Sequence, residues 1–472
     1  MLNFFGKPIQ RVVNYYRDRF FLRQLYHLAA PIALQNLLTA SLSMVGSVMV
    51  GQLGDATIAA VGLANQVFFL LSLVLFGIGS GSAMFTAQFW GNKDVISLRK
   101  VLGLCLLMGL ATAGVFLFVC EILPARVIGI FTIDPQVITL GGEYLQIYAW
   151  SFLFFSITSG YAAILRSVGE VKLPMLVTVS ALGLNIALNY VFIFGAFGIP
   201  AMGIRGAAVS ALVARVAESL GLVFITYQKK YPVAAKLNEL LGFNLGFCVK
   251  IFNPVLPVIL NELMWSLAIT VYSVVYAHIG TPSIAAMNIV GTVDNLALVP
   301  FLGLSSAIAI ICGHKIGSGE KEQAFQDVGR TLGLTVIFSV LVSILVLAVK
   351  GPVISLYKIT PDVAQFANRA LIILALWIFI RSQNMILIVG MLRSGGDTRY
   401  SLFLDGVIIW ILGVPMAVLG GIILRLPVYW VYLMVMSEEL TKFILGLKRY
   451  FSRKWIHDLT ETVSLPIPTA TP

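Results

Sequence analysis

Charge is the scarcest property of this 472-residue chain: only 11% of its residues are Asp, Glu, Lys or Arg, against 59% hydrophobic. Soluble domains carry roughly 25% charged residues, so the composition excludes an ordinary soluble fold. Not one of those four residue types occurs from Ala56 through Asn92, or from Leu173 through Ile204. Such runs exceed the roughly 20 apolar residues that a helical span requires. The alternating apolar and polar segments of about ten residues that build a membrane β-barrel are missing. Cysteine and histidine are equally sparse, four of each. Cys105, Cys120, Cys248 and Cys312 include no close pair and have no histidine cluster beside them, so neither a disulfide framework nor a metal site follows from them. The amino end shows no short apolar stretch followed by a small-residue cleavage site, so the first span itself has to target the chain.

What is present is an ordered internal repeat. Pro31, Gly54, Ile58-Ala59-Ala60, Gly91 and Pro135 recur, all after the same interval, as Pro257, Gly280, Ile284-Ala285-Ala286, Gly317 and Pro361. One inserted residue later, Leu165-Arg166-Ser167, Gly169 and Pro200 recur as Leu392-Arg393-Ser394, Gly396 and Pro427. A series of matches at one offset marks a duplicated half. Duplicated membrane halves commonly build transporters, whose site opens alternately to either side. The fold class predicted is an all-α integral membrane protein with about 12 transmembrane helices in two parallel six-helix repeats. The helix centres fall near residues 40, 72, 110, 150, 184, 214, 262, 298, 338, 378, 411 and 436. The domain reading is a cytoplasmic amphipathic amino end (1–26), an amino-terminal lobe (27–235), a carboxyl-terminal lobe (236–455) and a disordered Pro- and Thr-rich tail (456–472).

The net charge of +11 is distributed by side. Most Lys and Arg fall in the amino end, in alternate loops and in the stretch Lys442 to Lys454, which places both termini in the cytoplasm of a multi-pass cell-membrane protein. The opposite side has Arg126, Arg205, Lys350, Lys358, Arg369 and Arg425, leaving Arg215 and Arg381 within spans. This placement points to the lipid bilayer rather than nucleic acid as the basic partner.

Ionisable residues inside spans are costly, about 2.5–3.5 kcal/mol each at the bilayer centre, and therefore point to function or to a partner. Arg215 and Glu218, three residues apart, read as an ion pair on one helical face. Glu262, Asp294, Arg381 and Asp405 lie on four different helices and can converge. They are the candidate ion-coupling set, and the alternative is a fixed salt-bridge network of Glu262, Asp405 and Arg381. A desolvated carboxyl exchanges a proton or a small cation, which is the chemistry an ion-coupled carrier needs. Gln35, Asn36, Asn65, Asn185, Asn189, Asn261, Tyr276 and Asn384 are candidates for lining a substrate cleft, with interhelical hydrogen bonding as the plainer role. Gly77-Ile78-Gly79-Ser80-Gly81 lies within an apolar helix and reads as a close-packing segment rather than a phosphate loop.

Pro31-Ile-Ala-Leu-Gln-Asn36, Val50-Gly-Gln-Leu-Gly54, Gln88-Phe-Trp-Gly91, Leu165-Arg-Ser-Val-Gly-Glu170, Asn185-Ile-Ala-Leu-Asn189 and Leu392-Arg-Ser-Gly-Gly-Asp397 occur in that order. With the repeat, they give the chain a resemblance to the multidrug and toxic compound extrusion (MATE) family over nearly its whole length. The resemblance implies two six-helix lobes around a V-shaped central cleft, without catalysis or a cofactor. It also implies export of small organic cations or amphipathic drugs by a monomer in exchange for protons or sodium ions, with sodium at Glu262 as one form of the exchange. Glu262 resembles the seventh-helix glutamate of the family's eukaryotic branch, and Asn185 and Asn189 match a polar pair of the fifth helix. The first-helix aspartate of bacterial members falls here at Gly46, and the tenth-helix aspartate falls near Ser382, beside Asn384. Both departures shift the expected ion site to the second half. A flippase for lipid-linked oligosaccharide or amphipathic lipid is the rival reading. It calls for a cleft rich in Arg and Lys.

Overall fold

A computed structural model describes residues 18–464, and among them every regular element is helical. The first half supplies α1 (Arg19–Gly51), α2 (Asp55–Gly91), α3 (Val95–Ile122), α4 (Pro135–Tyr148), α5 (Ser151–Ser167), α6 (Lys172–Phe194) and α7 (Gly203–Gln228). The second supplies α8 (Leu245–Ile279), α9 (Thr281–Gly317), α10 (Lys321–Ser355), α11 (Pro361–Arg393), α12 (Thr398–Ile423), α13 (Val428–Val435) and α14 (Ser437–Ser452). Ten of the described helices are long and apolar enough to cross a membrane, and α4 with α5 make a further span bent by 51°. The α13–α14 segment follows these in the position of a sixth helix of the second half, which is consistent with the expected arrangement. Two expected helix centres, near 150 and 436, fall instead on interruptions: the α4–α5 bend and the break at Met436.

Most of the expected amino-terminal amphipathic segment lies outside the described residues. Its last part, from Arg19, is already α1, with Phe21 and Leu25 buried and Phe20 and Tyr26 exposed. Residues 465–472 of the expected tail also lie outside the description. Before them the chain is anchored by the fully buried Trp455 and by the His457 N–H donating to the Gly395 carbonyl, and it is helical over Leu459–Ser464.

The described helices group into two compact units, one comprising residues 18–33 with Leu260–Leu459, the other Leu34–Ile259 with residues 460–464. Two helices therefore change unit partway along. The entry turns of α1 pack in the unit of the second half, and those of α8 in the unit of the first. Glycine makes each crossing possible. A Cβ on Gly77 of α2 would stand 2.8 Å from the Ile259 Cα of α8, and one on Gly303 of α9 would stand 2.6 Å from the Ala29 carbonyl oxygen of α1. Gly77 and Gly303 are separated by the interval of the repeat, as are Ala33 and Ile259, so the two crossings are copies of one contact. Pro31 and Pro257 lie in these same entry turns, inside α1 and α8. The packing role read for the Gly77–Gly81 segment is seen directly, since a Cβ on Gly81 would likewise press on Val255.

The start of α1 is also fixed electrostatically. The backbone N–H groups of Phe20 and Phe21 donate to Asp18 Oδ1, each at 3.1 Å. Arg330 Nη1 then reaches Asp18 Oδ2 and Asp327 Oδ1, both at 2.9 Å, and Lys315 Nζ lies 2.6 Å from Asp327 Oδ2. The Phe21 N–H and the Arg330 guanidinium together hold the Asp18 carboxyl below its ordinary pKa, against partial desolvation.

Candidate functional site

The candidate carboxyls come together in the unit of the second half. Glu262, 8% exposed on α8, accepts from Arg393 Nη2 at 2.6 Å. Its neighbour Asn261, 1% exposed, donates from Nδ2 to Asp405 Oδ2 at 2.9 Å. The other oxygen of Asp405 accepts from Lys442 Nζ at 3.0 Å. Lys442 Nζ also stands 3.9 Å from Glu438 Oε1, one helical turn earlier on α14. Glu438 Oε2 accepts from the Tyr272 hydroxyl at 3.1 Å. Next along α14, Glu439 accepts from Asn384 Nδ2 at 2.7 Å and lies 3.8 Å from Arg381 Nε, while Arg381 is bound through Nη1 to Asp294. Tyr276 is buried within electrostatic reach of Glu438 and Arg381. Glu262, Asp294, Asp405, Arg381, Asn261, Asn384 and Tyr276 thus belong to one continuous polar chain.

The expected alternative, a fixed network of Glu262, Asp405 and Arg381, is not the arrangement found. Arg381 serves Asp294 and Glu439, and the cations on Glu262 and Asp405 are Arg393 and Lys442. Lys442, assigned from sequence to the basic cytoplasmic end, is in fact 2% exposed inside the bundle. The reason is local. Glu438, Glu439 and Lys442 at helical spacing look like a solvated face, but that face packs against α8 and α12. Arg393, the middle residue of the Leu392-Arg393-Ser394 repeat, is likewise only 3% exposed.

Backbone irregularity lets these side chains converge. Arg393 lies in a π-helical stretch, Ile386–Arg393, and Asp405 in another, Leu402–Val407. Such wide turns inside α-helices rotate the following side chains and are frequent at functional sites. Gly413 on α12 has no side chain because a Cβ there would overlap the Tyr272 hydroxyl and the Glu438 carboxylate. Its absence gives α8 and α14 room to join their polar groups across α12.

The amides of the first half form no such chain. Asn189 Nδ2 donates to Asn185 Oδ1 at 3.3 Å, the nearby Gly46 offers no carboxylate, and Asn189 Oδ1 stays buried without a hydrogen-bond partner. Gln35 and Asn36 are half-buried on α1 and Asn65 is exposed on α2, in the same unit as the Asn185–Asn189 pair. That unit does hold an ion pair: Arg215 Nη1 meets Glu218 Oε2 at 2.6 Å, and the guanidinium lies over Phe155 at 4.9 Å. The pair's two partners therefore meet on one helical face, as their spacing of three predicts.

Comparison with known proteins agrees with the duplicated architecture. The MatE family profile matches residues 31–191 and again 257–419, so that the two matches begin at Pro31 and at its repeat, Pro257. The chain is 25% identical to the Thermotoga maritima protein described as probable multidrug resistance protein NorM, over 92% of this chain and 93% of that one. It is 31% identical to the Rhizobium meliloti protein of the same description, over 82% and 84%. The solved structure of a mutant of the Vibrio cholerae MATE transporter VcmN superposes with a TM-score of 0.83 at 18% identity, covering 92% of this chain and 96% of the other. An outward-facing multidrug resistance MATE family transporter superposes with a TM-score of 0.82 at 20% identity, over 91% and 96%. With both halves matched by one profile and most of its length shared with these relatives, the chain belongs to the MatE family of multi-span membrane transporters.

Proposed function

We propose that this protein exports small organic cations or amphipathic drugs across the cell membrane, with both termini cytoplasmic, in exchange for protons that bind at Glu262 and Asp405. One observation carries the reading. The polar chain contains five carboxyls, Glu262, Asp294, Asp405, Glu438 and Glu439, against three cations, Arg381, Arg393 and Lys442. If all were ionised, this chain of groups would hold two uncompensated negative charges. An unpaired buried charge costs several kcal/mol, so the excess has to be met by bound protons or cations. Glu262, Asp294 and Asp405 each have a cation of their own, so the surplus falls on Glu438 and Glu439. A proton arriving at Glu262 or Asp405 frees its partner cation to offset part of that surplus, which lets the network exchange a proton for another cation. Protons suit it better than sodium ions. The Glu262 and Asp405 carboxylates already face Arg393 and Lys442, and a sodium ion placed there would sit against a like charge, whereas a proton neutralises the carboxylate and releases its partner. Reciprocal linkage then makes a proton arriving from outside weaken the hold on the organic cation.

The drug assignment draws support from the printed descriptions of the Thermotoga and Rhizobium relatives. The flippase alternative lacks comparable support, because each of the three cations of the polar chain is engaged by a carboxylate. The reading is tested with purified protein in liposomes loaded with a fluorescent organic cation. A pH gradient should drive dye movement and a sodium gradient at uniform pH should not. Movement driven by sodium alone would replace the proton with sodium in this account.

A further inference from the structure

Resting on the proton-exchange reading, we propose that the Lys442 ammonium is a tethered cation that steps from Asp405 to Glu438 when a proton reaches Asp405, and returns when it leaves. Lys442 is then a positioning residue for proton exchange, acting through Asp405.

A buried ammonium has lost its hydration and has to stay beside a carboxylate at every stage. Lys442 has two within reach, on different elements: Asp405 Oδ1 at 3.0 Å and Glu438 Oε1 at 3.9 Å. The nearer seat is the one that changes charge. When Asp405 is ionised, both its oxygens are occupied, by Lys442 and by Asn261 Nδ2. A proton arriving there needs an acceptor for the new O–H, and one is already in place. Asn261 Oδ1 is buried without a hydrogen-bond partner, on the same amide group that binds Asp405. Turning that amide lets Oδ1 accept the Asp405 O–H, so the proton stays on Asp405 throughout. Lys442, still protonated, loses its near counter-charge and closes the remaining gap to Glu438. Glu438 is prepared for it. Its Oε2 is held by the Tyr272 hydroxyl, Oε1 faces Lys442, and Gly413 leaves the space.

The charged and titratable groups facing this switch are Asp405 on α12, Tyr272 and Glu262 on α8, Arg393 on α11, and Glu438 and Glu439 on α14 itself. Asp405 and Glu438 are the two that Lys442 reaches. The ammonium beside Asp405 opposes protonation there, and its second seat makes that protonation tolerable. The two seats therefore act in opposite directions on proton affinity.

The test follows protonation of Asp405 by the infrared carbonyl stretch of a neutral carboxylic acid, in full-length protein in lipid nanodiscs titrated with acid, the band being identified by its loss in Asp405→Asn. Lys442→Gln is expected to raise the pH of half-protonation by about one to three units, a tenfold to thousandfold gain in proton affinity. Lys442→Arg should restore the wild-type midpoint, because a charge remains. Glu438→Gln, which removes the second seat but keeps Lys442, should move the midpoint the other way, to lower pH. A Lys442→Gln midpoint equal to wild type overturns the proposal, and so does a shift of Glu438→Gln to higher pH. If Lys442→Gln fails to fold, the sign of the Glu438→Gln shift still decides. Because the titration needs no transported substrate, wild-type protein that moves no dye would defeat the antiport reading while leaving this result standing.

Discussion

Substituting Gly77 by Ala probes the duplicated helix crossing with a single carbon atom. The added Cβ would lie 2.8 Å from the Ile259 Cα and 3.1 Å from its Cγ1. The first contact is with backbone, so α2 and α8 have to separate locally. Overpacking of this kind costs about 1–3 kcal/mol. Against it, Ala is a better helix former than Gly by about 1 kcal/mol. Gly62 on the same helix isolates that second effect, because a Cβ there meets nothing within 4 Å. Gly62→Ala is therefore expected to match or exceed wild type in thermal stability. Gly77→Ala should fall below it, with the two variants separated by about 1–3 kcal/mol. Thermal unfolding of detergent-purified protein, followed by tryptophan fluorescence, measures the gap, and Gly303→Ala should behave like Gly77→Ala. If Gly77→Ala were as stable as Gly62→Ala, the close crossing of α2 and α8 would be wrong, and with it the symmetric role of Gly303.

The latch at the start of α1 gives a pH-dependent expectation. Asp18 has a depressed pKa in the folded protein, so its stabilisation is complete above the ordinary carboxylate value and disappears as pH falls through the folded one. Asp18→Asn should accordingly be less stable than wild type at pH 7, by up to about 1 kcal/mol in thermal unfolding, and the difference should close below about pH 4. A gap that persists unchanged in acid would show that the ion pair with Arg330 is not its source. Among the cysteines, Cys105, Cys120 and Cys312 are buried and Cys248 is partly exposed near the start of α8. A membrane-impermeant maleimide should label Cys248 in inside-out vesicles and not in intact cells; labelling from the outside would reverse the topology.

Much of the fold was legible because its determinants are local or periodic. Charge-free runs identify spans, and residues such as Pro31, Gly54 and Gly91 punctuate both halves at one spacing. The close packing at Gly77 could be read from small residues in an apolar helix. Which helix it met could not, because the contact with Ile259 joins segments on either side of most of the first half. The candidate site was half legible. Glu262, Asp294, Arg381 and Asp405 stood out because each interrupts an apolar run. Arg393, Lys442, Glu438 and Glu439 did not, because they sit near the ends of apolar segments among other charges. There, sequence alone assigns a basic residue to the cytoplasmic surface. One signal pointed the other way: Glu438 and Lys442 are four residues apart, the spacing at which a carboxylate and an ammonium share one helical face. Pairing across helices, such as Glu262 with Arg393, depends on π-helical turns in α11 and α12 that no composition rule reports.

The claim on which the transport account rests is that proton binding at Glu262 drives export. Liposomes containing wild-type protein or Glu262→Gln at equal density, loaded with a fluorescent organic cation and given the same pH gradient, test it directly. The account predicts dye movement with wild type and none above empty liposomes with the variant, provided the two proteins unfold at comparable temperatures. Dye movement by Glu262→Gln at the wild-type rate, with the same dependence on the pH gradient, would contradict it.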